Sequence, residues 1–582
     1  MRQWMVAAKK ADFYAIAEKF HVDPVVARII RNREVIGEKN IRIYLGGNLS
    51  DLSDPHQMKD MEILAQKIRK QVHIRIIGDY DVDGVTSSHL FLTALRRVGA
   101  KVDVVIPHRI QDGYGLSLHL LQQAKEDGVD TILTCDNGIA AIDEIAWAKA
   151  QKMTVLVTDH HAVPFEEHEG RRTEKKSLAD AVVNPHQQDC RYPYKEPCGA
   201  GVAWNVIRVL YENYDMDKRE AEDLLDFVAM ATVCDVMSLT GENRILVKEG
   251  LKRIRHTKNI GLQALMQACN VQPENISAYH FGYVLGPCVN ATGRLDTARH
   301  ALRLFETGQE TEAEEIARDL VDLNQERKEL TLQGVEMAKK LCEEGGYEND
   351  PILVLFLPDV HESIAGLIAG RIREMYNRPV FVLTRGEEGV KGSGRSTENY
   401  SMYENMCGCA ELFTKFGGHP MAAGLSLPEE NVEKFRRKIN ENCPLTVEEV
   451  CPDIHIDMAM PVGYASTELV HQFALLEPFG KDNPSPLFAD RNLSISRMWV
   501  IGKNRNVLRM SVLSEYGQPV PVIFFGDVET LFAYFTEKFG QEEVENALHG
   551  RKNRILFSMV YTAKIDFYQG NENLQLEMKY YR

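Results

Sequence analysis

Between residues 73 and 160, apolar runs of four or five residues alternate with stretches of helical period. In order they are HIRII, a helix from about Thr86 to Val98, VDVVI, a helix near 116–127, TILTC, a helix near 140–151, and TVLVT. Strand and helix in strict alternation require right-handed crossovers, which predicts a parallel sheet covered by helices on both faces. Sheets of this kind take ligands beyond the carboxyl ends of their strands. A charged loop, EEHEGRRTEKK, expected to be exposed, then leads to a strand, AVVN, and a helical stretch, EDLLDFVAMATV.

Beyond residue 300 the helical period is sustained. ETEAEEIARDLVDLNQERKELTLQGVEMAKKL has no proline and one glycine, which predicts a helix long enough to bridge two domains, read as a solvated connector. A second α/β unit starts at PILVLFLP (351–358), continues through a helix near 363–376 and the strand PVFVL, and reaches KGSGRS and FGGHPMAAG before a helix at 429–440. From about 452 the pattern shifts to short β-type pieces, IHIDM, LSISRMWV, VLRMSVL, VPVIFF and RILFSMVYTAKI, with one helix near 528–539. These predict a small barrel or sandwich. The overall class is α/β with a β-rich final domain.

Composition adds limits. A chain of 582 residues is too long for one core. With 44% hydrophobic and 26% charged residues it reads as an ordinary soluble globular protein. No apolar stretch approaches the ~20 residues of a membrane span, and charges break the N-terminal MRQWMVAAKKADFYAIAEKF where a signal peptide would be apolar, so a cytosolic protein without a membrane partner is expected. The 11 cysteines show no CxxC pair and are read as reduced; the closest two, Cys407 and Cys409, are read as buried thiols of a helix. A net charge of −16 excludes a surface that is basic all round, so a nucleic-acid partner requires a localised groove.

The acidic residues carry the chemistry. GDYDVDG (78–84) places Asp79, Asp81 and Asp83 at every second position. In an extended segment rising ~3.3 Å per residue they stand roughly 7 Å apart on one side and repel, and a cation would cancel that repulsion. A solvated turn explains this stretch taken alone, since Gly and Asp are ordinary turn formers. The pattern recurs, however: Asp136 follows TILTC, Asp159-His160-His161 follows TVLVT, and Asp235 follows the helical stretch in CDVM. Carboxylates with imidazole and no thiolate favour manganese or magnesium over structural zinc. The set is larger than one ion needs, whereas two ions about 3.5–4 Å apart would use it, activating water and stabilising the attacking and leaving oxygens of phosphoryl transfer. Candidate partners for phosphate are Arg109 in PHRIQDGYG, Arg294 in NATGRL, Ser393 and Arg395 in KGSGRS, and His419 in FGGHPMAAG. Singly, an arginine beside a glycine turn is most often a surface residue. GSGRS lacks GxGxxG spacing, and no Walker sequence occurs.

Taken in order, GDYDVDG, CDNG, TDHH, VCDVM, NATGRL, GSGRS and FGGHPMAAG resemble the DHH phosphoesterases, most closely their single-strand-specific exonucleases. CGAGVAW fits as well, and LEPFGKDNPSPLF looks like the opening of that family's oligonucleotide-binding (OB) fold. The resemblance covers nearly the whole chain. It implies a helical segment at 1–60, a DHH catalytic domain at 61–300, a connecting helix at 301–345, a DHH-associated α/β domain at 346–450 and an OB barrel at 451–582. It also implies 5′→3′ removal of nucleotides from single-stranded DNA, in repair and recombination, with two Mn2+ or Mg2+ ions. Asp136 would bridge the ions; Asp79 and Asp81 would complete one shell, and Asp83, His160 and Asp235 the other. His161 would touch the scissile phosphate, with Asp159 supporting the cluster. Arg109, Asn290, Arg294, His361, Ser393, Arg395 and His419 would contact substrate in the cleft between the two α/β domains. On the OB fold, Lys503, Arg505 and Arg509 are candidates to extend the track, although exposed basic residues on a β-turn are usually only solvated.

Some positions depart from the family pattern. Cys288 stands where arginine is usual, which would thin the positive lining of the cleft, and Thr292 replaces an alanine. Lys481-Asp482 alters an outer turn, and His361 lacks its usual tryptophan neighbour. Two other readings are open. Relatives acting on short oligoribonucleotides, cyclic dinucleotides or pyrophosphate carry a histidine where this chain has Ile77, and a non-catalytic nucleic-acid scaffold would have lost ligands that are all present here. One cleft per chain makes a monomer sufficient, and a single-strand-binding protein and a helicase are the candidate recruiting partners.

Overall fold

The computed structural model describes residues 3–70, 73–109, 112, 115–168, 171–386, 389–502, 506–568 and 570–582, without the side chains of residues 168, 171 and 568. It divides into two compact units. The first comprises 52–237 and 242–452; the second comprises 3–51, 238–241 and 453–582.

In the first unit, five parallel strands form one sheet: β1 (Ile74–Ile77), β2 (Val102–Val105), β3 (Thr131–Cys135), β4 (Thr154–Thr158) and β5 (Ala181–Val183), in spatial order β2-β1-β3-β4-β5. Every residue of β1 and β3 is buried, as expected of strands covered on both faces. On one face Leu120 and Leu121 of α2 (Leu118–Glu126) and Ile145 of α3 (Ile142–Ala150) pack against Ile132, Val155 and Val157. On the other lie α1 (Val82–Arg97) and α4 (Gly199–Asn213), which contact each other. The strand order reverses between β1 and β3, and at such a switch point the loops diverge to leave a crevice at the carboxyl ends. The loops after β1 and β3 carry Asp79 and Asp136.

GDYDVDG is not extended: Asp81 caps α1, its carboxylate accepting from the Gly84 amide at 3.0 Å, and Asp83 lies in the first helical turn. The charged stretch after β4 is a hairpin, Phe165–His168 against Arg171–Glu174, rather than a loop. The long helix is not a solvated connector. α7 (Glu310–Glu344), 35 residues and roughly 50 Å long, buries Ala313, Ile316, Ala317, Leu320, Val335 and Ala338. Its first half packs on helices Ile260–Ala268 and α6 (Gly286–Leu295), its second half on α8 (Glu362–Tyr376). Isoleucine, leucine and alanine at three- and four-residue spacing supply that stripe, so the helix is a spine shared by both α/β domains. Among the cysteines, all free, Cys409 is buried but Cys407 is exposed at its helix end.

The second α/β domain is a mixed sheet. β6 (Leu353–Phe356) and β7 (Val380–Gly386) are parallel, and β8 (Gly389–Arg395), β10 (Ala422–Leu427) and β9 (Lys415–His419) follow antiparallel, in order β9-β10-β8-β7-β6. KGSGRS is thus part of a strand, and FGGHPMAAG is a hairpin.

The second unit is a closed barrel. β11 (Phe488–Ile501), β12 (Val507–Leu513), β13 (Pro519–Phe525), β15 (Asn571–Tyr581) and β14 (Leu556–Tyr568) pair in that order, and β14 pairs back to β11. β15 is absent from the sequence reading, yet closure depends on it. Helices Phe13–Phe20, Pro24–Asn32 and Glu38–Gly46 share the barrel's core through Val26, Ile29, Ile30 and Tyr44. Among the described residues no helix is long and apolar enough to cross a membrane.

Candidate metal centre and substrate cleft

Four segments of the first unit converge at the switch point. Asp79 follows β1. Asp136 follows β3 and adopts a left-handed conformation, φ 61°, its amide bonded to the Thr158 carbonyl at 3.1 Å. Asp159, His160 and His161 follow β4. Asp235 ends the helix α5 (Leu225–Cys234). Ligand atoms of Asp79, Asp81 and Asp136 lie within 4.8 Å of one another, as do those of Asp83, His160 and Asp235, and those of Asp136, His160 and His161. Asp136 therefore stands in two sets, between the other acids.

The shell around this cluster is specific. Asp83 accepts from the Gly199 and Ala200 amides at 2.5 and 2.7 Å, at the N-terminus of α4. A side chain at position 199 would meet the Asp136 Cβ at 2.7 Å, so only glycine allows this approach. Asp159 is saturated: it accepts from the amides of Ile139, His160 and His161 and from His161 Nδ1 at 2.8 Å, and it orients the His161 ring. Sequence reasoning missed the Gly199-Ala200 amides, whose only signal is the PCGAG turn ahead of a helix.

Electrostatics favour a cation. Burial, reinforced by the Asp81 charge, pushes Asp79 well above the usual carboxylate range and Asp83 to about 6. Burial and the four neighbouring carboxylates raise Asp136 well above it too. Burial, then the charge of His161, drives His160 down to about 3. Its neutral ring bonds to the Pro197 carbonyl, while Nε2 faces carboxylate oxygens of Asp136, Asp235 and Asp83 at 3.0, 3.6 and 3.7 Å without hydrogen-bond geometry to any. Asp79 Oδ1 is buried and has no hydrogen-bond partner among the described residues. Lone pairs directed at carboxylate oxygens repel, and a hard divalent cation is the species that satisfies both, so the donor set fits such ions. Burial opposes the charge on His161, but the bond to Asp159 and the surrounding carboxylates outweigh it and raise its pKa to about 9. The bond to Asp159 thus favours the proton on His161, whose side chain is 40% exposed.

Beside the cluster, a cavity of about 490 Å³ lies between the two α/β domains, lined by Arg109, Arg294, Ser363, Lys391, Ser393 and Arg395 among others. Arg109 stacks on Tyr80, 3.9 Å from the ring centroid, and donates to the Gly293 carbonyl at 2.9 Å, which joins the cavity to the Asp79–Asp81 loop. Arg294 donates to the Ser363 carbonyl at 2.6 Å and Arg395 to the Gly394 carbonyl at 2.8 Å. Burial and the charges of Arg109, Arg327 and Arg395 bring Arg294 down to about 10. Arg327, on α7, is a cation that sequence reading missed; it is anchored by Asn324 Oδ1 at 2.6 Å. Cys288, expected to thin the lining, is buried against Cys269 and Asn324.

Other sequence candidates fall elsewhere. Asn290 Oδ1 accepts from the Val82 amide at 3.2 Å and so braces the start of α1. His361 caps α8 and bonds Ser363 Oγ at 2.7 Å, and His419 is exposed on the β9–β10 hairpin; neither lines the cavity. Arg509 is on β12 of the barrel, and Lys503 and Arg505 lie outside the described residues.

Three family models match the chain in succession: the DHH family N-terminal domain at 73–232, the DHHA1 domain at 349–443 and the RecJ OB domain at 456–580. The chain is 32% identical to the single-stranded-DNA-specific exonuclease RecJ of Haemophilus influenzae, over 96% of each chain. It is 33% identical to the Bacillus subtilis protein of that name over 87% of its own length, and spans 63% of that relative's. A crystal structure of RecJ with Mn2+ from Thermus thermophilus superposes with a TM-score of 0.80 at 25% identity, covering 100% of this chain and 79% of that one. With three domains in matching order and similarity along nearly its full length, the chain belongs to the RecJ family of DHH proteins.

Proposed function

We propose that this protein is a divalent-metal-dependent exonuclease that removes nucleotides from the 5′ end of single-stranded DNA. One observation carries the reading: ligand atoms of Asp79 and Asp81 gather on buried Asp136, those of Asp83 and Asp235 gather on His160 beside it, and this cluster adjoins a cleft lined by arginines. The relatives' activity on single-stranded DNA supports the substrate, and the family resemblance supplies the direction and a role in repair and recombination.

Asp79, Asp81 and Asp136 would hold one Mn2+ or Mg2+ ion, and Asp83, His160 and Asp235, with Asp136, the other. Such ions, when bound, supply Lewis acidity at phosphoryl oxygens and lower the pKa of water. The chain's own residues do the rest. Arg109, Arg294 and Arg395 would take phosphate oxygens in pairs through their planar forks, with Ser393 as an added donor. Imidazolium His161 would donate to the scissile phosphate as charge develops, while Asp159 fixes its ring. A cleft closed by the second α/β domain would admit one strand and exclude a duplex. A cluster and a cleft both built by a single chain make a monomer sufficient; a cytoplasmic location and recruitment by a single-strand-binding protein or a helicase belong to the same reading.

A digestion panel with manganese tests it, using 5′- and 3′-labelled single-stranded DNA, duplex DNA, short RNA and cyclic dinucleotides. Early release of the 5′ label from single-stranded DNA is expected. Preference for short RNA or cyclic dinucleotides would overturn the reading.

A further inference from the structure

A pair of exposed tyrosines stands just ahead of the helix that carries Arg294. Tyr279 and Tyr283 are 63% and 70% exposed, and their rings stack with centroids 5.1 Å apart at 25°. Four residues apart on a helical turn, they share an outer face, while Phe281 and Leu285 are fully buried on the inner one. The turn itself is unusual. Phe281–Leu285 is a π-helix that runs directly into α6 at Gly286, and widened turns of this kind recur at functional sites.

The turn is fastened to the metal centre. The Cys234 thiol donates to the Phe281 carbonyl at 3.3 Å, and the next residue is Asp235. A side chain at Gly286 would overlap Cys234 Sγ, so the two segments pack backbone to side chain without a gap. Downstream on α6, Asn290 braces the Asp81–Val82 segment and Arg294 lines the phosphate cavity. From Tyr283 to Arg294 is eleven residues, roughly 16 Å of helix. A strand advancing ~3.4 Å or more per nucleotide covers that in about five nucleotides or fewer.

We propose that Tyr279 and Tyr283 form a stacking platform for an unpaired base of the substrate, a few nucleotides in from the end held by the arginine cleft. This rests on the reading of the protein as a single-strand exonuclease. Every base has a π-face, so the platform is indifferent to sequence, whereas a duplex keeps its bases stacked on one another and offers none. The tyrosines thereby add a preference for unpaired strand to the width of the cleft.

The test uses the full chain with manganese and oligothymidylate carrying one abasic site at each of the first six positions. For the wild type, KM should rise when the abasic site falls at one particular position. Tyr279→Ala/Tyr283→Ala should raise KM on intact oligothymidylate by roughly 5- to 150-fold, the usual loss per stacked base, with kcat little changed. In that variant the abasic site should bring no further penalty, and Tyr279→Phe/Tyr283→Phe should rescue the wild-type KM. An active wild type whose alanine variant keeps the same KM, or the same abasic penalty, overturns the platform alone and assigns the exposed pair to another partner, such as a protein. A wild type inert on single-stranded DNA overturns the functional reading itself, and the platform with it.

Discussion

Replacing Asp136 with asparagine should separate what the cluster costs the fold from what cations return to it. The substitution keeps shape and removes one charge. In the native protein Asp136 lies within 4.8 Å of ligand atoms of Asp79 and Asp81. Two full charges at that distance repel by roughly 3–4 kcal/mol at an effective dielectric of 20. The molecule avoids much of this by holding protons, which is why burial and neighbouring acids push Asp136 well above the usual carboxylate range. An acid whose pKa is raised on folding contributes stability below its unfolded pKa and loses it as pH rises through the folded one, so the metal-free protein is penalised at neutral pH and above. Metal-free Asp136→Asn should therefore unfold no lower than the metal-free wild type at pH 8, with an advantage that shrinks toward pH 4. Manganese at a hundred times its Kd stabilises the wild type by about 2.7 kcal/mol per ion. A ligand shared by both ions, the role proposed for Asp136, would make the variant lose more than half of the total. Calorimetry with chelator and with manganese reads both numbers. A variant that keeps the full manganese increment, or that is destabilised by several kcal/mol without metal, would refute the reasoning.

Further expectations follow from single residues. Gly199→Ala changes no ligand, but its new Cβ would press on Asp136, so manganese affinity measured by titration calorimetry should fall roughly 10- to 100-fold; an unchanged affinity would show that the helix N-terminus does not position the acids. Arg395→Gln removes a fork from the cleft and should raise KM for single-stranded DNA roughly 10- to 100-fold while sparing the manganese increment, and an unchanged KM would remove Arg395 from the substrate path. Asp226, away from the cluster, is buried and bonded to Thr257 at 2.6 Å, and burial raises it to about 6. Its ionisation should erode stability between about pH 4 and pH 6 by roughly 3 kcal/mol, a slope that Asp226→Asn should lack; parallel pH–stability curves for the two proteins would contradict that.

The sheet was legible because TILTC and TVLVT are short uncharged runs rich in β-branched residues, as strands buried on both faces require. Asp83 was misplaced for a local reason: alternation of acids in GDYDVDG imitates a strand, while an aspartate that caps a helix has the same composition. β15, NENLQLEMKYY, was overlooked although Leu574, Leu576, Met578 and Tyr580 alternate with polar residues at the period of a strand. In α7 the density of glutamate concealed a stripe that the spacing of Ile316, Leu320 and Val335 already contained. The Gly199 and Ala200 amides leave no side-chain signature at all, and Arg327 is one charge in a helix full of charges until the fold brings it near Arg294. Distant acids could be grouped from the strand rule alone; what holds each acid in place could not.

The most direct measurement is anomalous diffraction from a manganese-soaked crystal of the full chain. The account predicts two peaks roughly 3.5–4 Å apart, one touching Asp79, Asp81 and Asp136, the other Asp83, His160 and Asp235, with Asp136 in reach of both. A single peak, or none in this pocket, would contradict it.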